Sequence, residues 1–205
     1  MKGGKEDRFC IDGPSGNLEL AVSEPQENPV GLAIVAHPHP LYGGTLDNKV
    51  VQTLAKSFLS LGYVAVRFNF RGVGKSDGVY DEGKGELDDF YAVQKYASER
   101  YALQKLILAG FSFGTYVVSV AAKTISPDKL VLIAPAVGKF AVENVPDNTL
   151  VIHGEEDDVV LLTDVYDWAR PQHLPVIVFP GAGHFFHGDL IRLQNVVRKQ
   201  CADLT

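Results

Sequence analysis

The stretch LILAGFSFGTYVVSV, residues 106–120, decides the fold, because a short apolar run passes through Gly110-Phe-Ser-Phe-Gly114 into a helical pattern. Such an apolar run is typical of a strand covered on both faces of a parallel sheet. A serine between two glycines at this junction predicts a sharp turn, in which the glycines let strand and helix approach without Cβ clashes. Ser112 would then project above the sheet at the amino end of a helix, where negative charge is favoured. The alternative is a serine that caps a helix.

Short apolar runs, turns and helical periods alternate along the whole chain. The candidate strands are Leu18–Val22, Gly31–Ala36, Val64–Phe70, Leu106–Gly110, Leu130–Ala134, Leu150–His153 and Val176–Phe179. The candidate helices are Asn48–Leu61, Glu86–Tyr101, Phe113–Lys123, Thr163–Ala169 and Leu190–Ala202. The opening segment, Phe9–Val22, is typical of an antiparallel hairpin that turns through residues 12–16. We predict an α/β fold with a doubly wound, mostly parallel sheet, an antiparallel N-terminal hairpin and right-handed crossovers, in a single domain over residues 1–205.

Two later strands are followed by the partners that a serine nucleophile needs, a base and an acid that orients it. Gly154-Glu-Glu-Asp-Asp158 follows one strand, and Pro180-Gly-Ala-Gly-His184 follows the next. In an open α/β sheet, the chemistry lies at the carboxyl ends of the strands. The chain order of serine, acid and histidine is also the order expected when a serine sits on such a turn. We predict that Ser112, Asp157 and His184 meet at one rim of the sheet, with Asp158 as the alternative acid.

The stretch FNFRGVGKSDG, residues 68–78, ends in the Gly-Lys-Ser of a phosphate-binding loop and raises the alternative of a nucleotide enzyme. The first glycine of that pattern is replaced by Asn69, which still belongs to the apolar run. The dinucleotide pattern also fails, because Gly78 comes one place late, and Asp77 would repel a phosphate. We interpret the stretch as a glycine-supported loop that leaves a strand, with Arg71 held in a structural salt bridge.

A metal site is a further alternative, because His37 and His39 form one close histidine pair and His184 and His187 form another. Neither spacing is a recognised zinc signature, and no cysteine is near them in sequence. We therefore expect no metal and no other cofactor. The remaining histidines are assigned to a helix cap or the surface (His187), to the end of the sheet (His153) and to the surface (His173).

Composition and charge disfavour several classes of protein. The net charge of −6 gives no basic field for nucleic acid or an anionic membrane. The opening residues MKGGKEDRF lack the apolar core of a signal peptide, and the longest uncharged run, Leu106–Ala122, is shorter than the roughly 20 residues of a membrane helix. Cys10 and Cys201 favour two free thiols in a reducing compartment over a terminal disulfide. We expect a cytoplasmic protein.

On these residues the chain resembles the α/β-hydrolase superfamily, most of all its small bacterial hydrolases without a lid domain. The resemblance covers nearly the whole chain and rests on AHPHPLYGGTLDNKVV, FNFRGVGKSDG, GFSFG, HGEEDDVV and GAGHFF. It implies the α/β-hydrolase fold, with Ser112 as the nucleophile, Asp157 as the orienting acid and His184 as the base. The Gly-Lys-Ser stretch then corresponds to the family's loop after its fourth strand.

The resemblance also implies an oxyanion hole, with one donor in the N–H of Phe113, the residue after the nucleophile. The second donor should come from the loop that begins at His37, where this chain has His-Pro in place of the His-Gly of many relatives. Pro38 and Pro40 have no N–H to give. We therefore expect His39 as the second donor, with Leu41 as the fallback.

These expectations together predict a serine hydrolase that cleaves small, short-chain acyl esters through an acyl-enzyme, without a cofactor. Short connections predict an open site, which Tyr42, Phe111 and Phe185, together with Phe113 and Phe186, could line. Activity is expected to rise between about pH 6 and 8 as an imidazole base loses its proton. A thioesterase or peptidase of the same fold, and a non-catalytic binding or scaffold protein, remain alternatives. The residues leave the oligomeric state open.

Overall fold

Strands and helices alternate along the computed structural model, which describes residues 5–204. The strands are β1 (Glu6–Gly13), β2 (Gly16–Ser23), β3 (Gly31–Ala36), β4 (Tyr63–Phe68), β5 (Leu106–Phe111), β6 (Lys129–Ile133), β7 (Thr149–Gly154) and β8 (Val176–Phe179). The helices are α1 (Lys49–Ser60), α2 (Lys84–Tyr101), α3 (Phe113–Ile125), α4 (Leu162–Ala169) and α5 (Leu190–Cys201). Within residues 5–204, no helix combines the length and the apolar character needed to cross a membrane.

The strands form an eight-stranded sheet in the order β1-β2-β4-β3-β5-β6-β7-β8. All strands from β3 to β8 pair in parallel, whereas β2 runs antiparallel to both β1 and β4. The predicted parallel sheet and N-terminal hairpin are therefore confirmed. The strand order reverses at β3, which lies between β4 and β5, so the carboxyl ends of β3 and β5 border the crevice where α/β sheets bind ligands.

Helices cover both faces of the sheet because the central strands are apolar on both faces. Leu32 and Ile34 of β3 belong to one core layer, with Phe90 of α2 and Val117 of α3. Ala33 and Val35 of the same strand belong to the opposite layer, which lies under α1 and α5. Alternate residues of a strand point to opposite faces, so this division follows directly from the continuous apolar runs.

The connections at the carboxyl ends of the strands are short. The longest ones without a helix are residues 69–83 and 134–148. In the described part of the chain no lid subdomain lies above the sheet, in agreement with the sequence prediction.

The predicted boundaries of the parallel strands and of the helices lie within about two residues of the observed ones, and the differences have local causes. The fourth strand was expected to reach Phe70 but ends at Phe68. The N–H of Phe70 donates to Nε2 of His37 at 3.0 Å, so it is not available for the strand ladder. Asn48 was expected inside α1 but is its N-cap, with its side-chain oxygen accepting the N–H of Val50 at 2.9 Å.

The Gly-Lys-Ser stretch is a structural loop, as predicted. The backbone N–H of Lys75 donates to a carboxylate oxygen of Glu19 at 2.9 Å, so a protein carboxylate occupies this donor. Gly72 and Gly74 have φ values of 73° and 58°, a backbone region that favours glycine. Arg71 forms the expected salt bridge, with two of its nitrogens 2.8 and 3.0 Å from the buried carboxylate of Asp89.

Candidate active site

Ser112 lies between β5 and α3 with φ 52° and ψ −120°, a strained backbone conformation for any residue other than glycine. Its surroundings hold this conformation. The N–H of Ser112 donates to the carbonyl of Ile133 at 3.0 Å, and its own carbonyl accepts the N–H of Thr115 at 2.8 Å. A Cβ on Gly110 would lie 2.5 Å from the carbonyl oxygen of Gly114, so strand and helix can approach this closely only with glycine there. The strand, sharp turn and helix therefore follow one another as predicted.

Ser112, His184 and Asp157 form a chain of hydrogen bonds. The Oγ of Ser112 lies 3.0 Å from Nε2 of His184, and Nδ1 of His184 lies 2.7 Å from Oδ2 of Asp157. The three residues are only 9%, 5% and 4% exposed, in the order serine, histidine, aspartate. The structure thus brings together the three side chains singled out in the sequence. Asp158, the alternative acid, is exposed and lies on a cavity wall instead.

Both carboxylate oxygens of Asp157 accept hydrogen bonds. Oδ1 accepts the backbone N–H groups of Val159 at 2.9 Å and Val160 at 2.8 Å, while Oδ2 accepts the Nδ1–H of His184. Burial alone would raise the pKa of Asp157, but the hydrogen bonds from His184 and Val160, and the imidazoles of His184 and His153, outweigh it and lower the pKa. The carboxylate therefore stays ionised at neutral pH, which favours the tautomer of His184 whose Nε2 can accept a hydrogen bond from the hydroxyl of Ser112.

The loops that carry the acid and the base are held together by their backbones. The N–H of Glu156 donates to the carbonyl of Ala182 at 2.9 Å, and the N–H of Glu155 donates to the carbonyl of Phe179 at 3.0 Å. A Cβ on Gly154 would lie 2.9 Å from the carbonyl oxygen of Gly183, so the glycine permits this approach. Two loops that follow separate strands are thereby kept in one fixed relation.

The loop after β3 begins with a fully buried histidine. Nδ1 of His37 lies 2.6 Å from the carbonyl oxygen of Pro38, and its Nε2 accepts the N–H of Phe70. Burial lowers the pKa of His37 to about 4, with a smaller opposing effect from the hydrogen bond to Pro38. His37 is therefore neutral at physiological pH and ties this loop to the end of β4.

The backbone N–H groups of Phe113 and His39, two residues that line the same cavity as Ser112, make no hydrogen bond to any residue in the range 5–204. Phe113 is the first residue of α3, where N–H groups have no partner within the helix. The other expected donor, Leu41, gives its N–H to Nδ1 of His39 at 3.2 Å and is therefore already engaged. His39 remains the better candidate of the two.

Ser112 opens into a cavity of about 620 Å³ whose walls are mainly apolar. One wall is aromatic, because the ring of His39 packs against Tyr42, Phe113 and Phe140 with centroid distances of 4.7, 5.1 and 5.8 Å. The lining of the cavity also includes Val159, Val160 and Phe185, together with His184. Tyr42 is 85% exposed and Phe185 is 43% exposed, so aromatic side chains stand at the mouth.

Solved structures with a similar fold include two that share a substantial part of the sequence. A serine hydrolase from Xanthomonas campestris, described as lacking a lid, is 38% identical, with a TM-score of 0.92 over 97% of this chain and 94% of that one. A serine hydrolase homologue from Coxiella burnetii is 41% identical, with a TM-score of 0.88 over 94% of this chain and 96% of that one. An uncharacterized protein of Rickettsia prowazekii is 30% identical over 87% of this chain and 82% of its own length.

The family model of the X-Pro dipeptidyl-peptidase (S15 family) matches residues 12–179. The chain belongs to the S15 family. The family match and the similar structures together place it in the α/β-hydrolase superfamily, which the sequence motifs predicted, and show a hydrolase.

One residue of the predicted substrate site lies elsewhere in this S15 family member. Phe111 is fully buried and does not line the cavity. Its ring packs against His184 and Phe185, with centroid distances of 5.1 and 5.8 Å. Since Phe111 is still part of β5, its side chain points into the core layer under α1 and α5. The expected contact with substrate is therefore replaced by support of the histidine. Phe186, also considered for the lining, is buried in the same layer.

Several residues that line the cavity were not found from the sequence. Asn48, Lys139 and Phe140 line the cavity, and the last two lie in the irregular connection 134–148. The position of Lys139 and Phe140 after a parallel strand is the one signal in the sequence for these two residues, and it does not show that the connection folds back over the sheet. His153, expected only as a structural residue, lies 3.5 Å from Oδ2 of Asp157 through its Nε2.

Across residues 5–204, no three side chains of His, Cys, Asp or Glu converge in an arrangement that could hold a metal ion. His187 is exposed and stacks on Phe185, with a centroid distance of 5.8 Å. The predicted surface position of His187 is therefore confirmed.

Proposed function

We propose that this hydrolase cleaves small carboxylic esters through an acyl-enzyme, with Ser112 as nucleophile, His184 as base and Asp157 as orienting acid. The observation that carries the proposal is the hydrogen-bonded chain from Ser112 Oγ through the imidazole to the buried carboxylate, at the floor of an open cavity. A serine hydroxyl is inert alone, and this arrangement of base and orienting acid is what activates it.

The proposed reaction has two halves. In the first, Ser112 Oγ attacks the ester carbonyl carbon while His184 Nε2 takes the hydroxyl proton. The tetrahedral intermediate then expels the alcohol, which receives that proton from Nε2, and leaves an acyl group on Ser112. In the second half, His184 takes a proton from water, the resulting nucleophile attacks the acyl carbon, and the acid leaves as Ser112 regains its proton. Asp157 stabilises the imidazolium in both halves.

The oxyanion hole of this proposal consists of the N–H groups of Phe113 and His39. Neither group has a hydrogen-bond partner in the described part of the chain, and both residues line the cavity beside Ser112. Fixed donors of this kind stabilise the developing oxyanion by roughly 3 kcal/mol each in comparable sites.

The proposed substrate is a small, largely apolar ester. The cavity of about 620 Å³ is lined by the aromatic cluster around His39 and by Val159, Val160 and Phe185, and it has room for a short acyl chain or an aromatic ring. A long lipid chain would need more apolar cover than an open mouth without a lid provides. Tyr42 and Phe185 are the proposed substrate contacts at the mouth.

The experiment that tests the proposal combines a covalent probe with a substrate series. A fluorophosphonate should label the wild type at Ser112, and p-nitrophenyl esters from acetate to palmitate should be cleaved best at the short end. Ser112→Ala should lose labelling and turnover, whereas Ser119→Ala, a buried serine on α3 outside the cavity, should keep both. Turnover that survives in Ser112→Ala, or a wild type without labelling, would contradict the proposal.

Two charged side chains on the cavity walls favour a peptidase as the second candidate function. Asp158 and Lys139 both line the cavity, and neither makes an ion pair within residues 5–204. A free carboxylate and a free ammonium would complement the two ends of a short peptide. The match to an X-Pro dipeptidyl-peptidase family model points in the same direction.

Matched substrates separate the two candidates. Ala-Pro-p-nitroanilide, its N-acetylated form and p-nitrophenyl butyrate should be compared in the wild type and in Asp158→Asn. A peptidase should prefer the free amine, and Asp158→Asn should remove that preference, while Glu156→Gln, an exposed acid outside the cavity, should not. Rapid cleavage of the ester with no preference for the free amine supports the esterase.

The proposed setting is the cytoplasm, with a small-molecule ester as the partner and neither nucleic acid nor membrane. Cys10 is exposed, Cys201 is buried, and both are free thiols. Free cysteines are typical of a reducing compartment. The acidic net charge of −6 disfavours binding to nucleic acid.

A further inference from the structure

His153 is a second histidine in contact with the acid of the site. It lies in β7, its side chain is fully buried, and its Nε2 is 2.9 Å from the carbonyl oxygen of Val160 and 3.5 Å from Oδ2 of Asp157. These contacts join the two ends of the loop over residues 153–160, which carries Asp157. The imidazole of His153 therefore holds the two ends of this loop together through its contacts with Val160 and Asp157.

The partner at Val160 fixes which ring nitrogen carries the proton. A carbonyl oxygen can only accept a hydrogen bond, so Nε2 of His153 is the protonated nitrogen. The same nitrogen lies 3.5 Å from Oδ2 of Asp157, the oxygen that also accepts the hydrogen bond from His184. The other nitrogen, Nδ1, is buried without a partner in residues 5–204. Burial lowers the pKa of His153, and the imidazole is neutral at physiological pH.

We propose that His153 is a positioning residue for the hydrolysis proposed above: its Nε2–H holds the 153–160 loop closed and partly neutralises Oδ2 of Asp157 where that oxygen faces His184. The inference rests on the proposed function, because it assigns a role toward the proposed acid. His153 does not line the cavity, so it acts on the reaction only through Asp157.

The composition of β7 supports this role. Its other interior residues, Leu150, Val151 and Ile152, are apolar and buried, so a packing role alone would be met by another apolar side chain. An imidazole with one buried, unpartnered nitrogen is costly at such a position. The role of Nε2 toward Val160 and Asp157 explains why a histidine with an unpartnered Nδ1 stands at this position.

Removal of the N–H should change two measurable quantities. Asp157 loses part of its orientation, so kcat falls, while KM for a small ester changes little because the cavity walls keep their residues. The carboxylate also keeps more negative charge toward His184, so the imidazolium is stabilised. The acid limb of the pH profile of kcat/KM should therefore move to higher pH.

The test compares two substitutions of His153 with a control on the same strand. His153→Leu removes the donor, whereas His153→Gln keeps an amide N–H at about the same reach. Thr149→Val is the control, because Thr149 is also in β7 and also has a buried side-chain oxygen without a partner in the described residues. We expect His153→Leu to lose about tenfold or more in kcat, since a misplacement of about 1 Å can cost about 100-fold. His153→Gln should recover most of this loss, and Thr149→Val should resemble the wild type.

The pH profile separates positioning from simple destabilisation. A shift of the acid limb in His153→Leu, absent in Thr149→Val at a comparable melting temperature, supports the inference. An unchanged profile and kcat in His153→Leu, or equal losses in the leucine and glutamine variants, would overturn it.

A measurement on the wild type keeps the inference testable if the leucine variant does not fold. Nitrogen-15 NMR of labelled histidine should show His153 protonated at Nε2 and bare at Nδ1, and the opposite tautomer would overturn the inference. Failure of the proposed function can be told apart from failure of this inference, because in that case the wild-type protein would cleave no ester through Ser112. Failure of the inference alone leaves Ser112-dependent turnover intact.

Discussion

Gly114 lies so close to Ala36 that a Cβ on the glycine would be 2.7 Å from the carbonyl carbon of Ala36. Ala36 ends β3 and Gly114 lies in the first turn of α3, so this approach brings the loop of His39 next to Ser112. Since the obstacle is backbone, a methyl group cannot be accommodated by a side-chain rotation. The loop of His39 and the turn of Ser112 can therefore lie side by side only because residue 114 has no Cβ.

We predict that Gly114→Ala lowers the free energy of unfolding by about 2–3 kcal/mol, the upper part of the range for overpacked interiors. It should also lower kcat on a short ester, because the loop of His39 must move away from Ser112. Urea unfolding and steady-state kinetics measure the two effects. Gly183→Ala is the control for stability, because its Cβ would meet only the carbonyl oxygen of Glu156, at 3.7 Å. Equal stability of the two variants would contradict the prediction.

Two neighbouring aspartates should differ sharply in their effect on turnover. Asp157 is buried and bonded to His184, while Asp158 is exposed on the cavity wall. Asp157→Asn should lower kcat by about 10⁴-fold, as the same change does in a comparable triad, because an amide N–H facing Nδ1 favours the wrong tautomer of the imidazole. Asp158→Asn should leave kcat on p-nitrophenyl butyrate within about threefold, since His184 is bonded to Asp157 and Ser112 and this ester has no amine for the carboxylate of Asp158 to bind. Similar losses in both variants would refute this assignment of the acid.

The main features of the fold and the three hydrogen-bonded side chains could be predicted because they depend on local patterns. Each of Ser112, Asp157 and His184 follows a continuous apolar run and a glycine, and parallel strands bring their carboxyl ends to one edge. The glycines at 110 and 114 also indicate, from the sequence alone, that the strand and the helix approach each other closely at this turn. The order of serine, aspartate and histidine along the chain then indicated which residue is the nucleophile, which the acid and which the base.

The remaining features depend on which way a side chain points and on how far a loop folds back. Phe111 precedes the serine by one residue, but the alternation of β5 directs it into the core. Lys139 and Phe140 lie in a connection with no periodic pattern, and only the return of that connection over the sheet brings them to the cavity. The contact of His153 with Asp157 arises because the intervening loop closes on itself, which no local pattern indicates.

The stability of the protein should fall between neutral pH and about pH 4, in part because of His37. Burial lowers the pKa of His37 from 6.5 to about 4, so in this window the unfolded chain binds a proton that the folded chain does not. The contribution of neutral His37 to the free energy of unfolding is therefore fully present above pH 6.5. It is lost as the pH falls toward 4, and the loss amounts to about 3 kcal/mol. Urea unfolding at pH 7, 5.5 and 4 measures it.

His37→Gln should reduce this pH dependence, because the glutamine oxygen can still accept the N–H of Phe70 but has no proton to gain. The variant is expected to lose less stability than the wild type over the same pH range. His173→Gln, a change at an exposed histidine, is the control and should follow the wild type. The proposed role of His37 in the pH dependence fails if His37→Gln loses as much stability as the wild type.

The proposed second donor of the oxyanion hole can be tested because the backbone at His39 already suits proline. Its φ is −54°, within the range that a proline ring imposes, so His39→Pro removes the N–H without forcing a new value of φ. His39→Ala is the matched control, because it removes the imidazole and its contact with Leu41 but keeps the N–H. We predict that kcat of His39→Pro is about 10²–10³-fold below that of His39→Ala, the usual cost of one oxyanion donor. Circular dichroism and melting temperature should show that both variants are folded. If the two variants turn over a short ester equally fast, His39 is not the donor, and the N–H of Leu41, which His39→Ala would free from the imidazole, becomes the candidate.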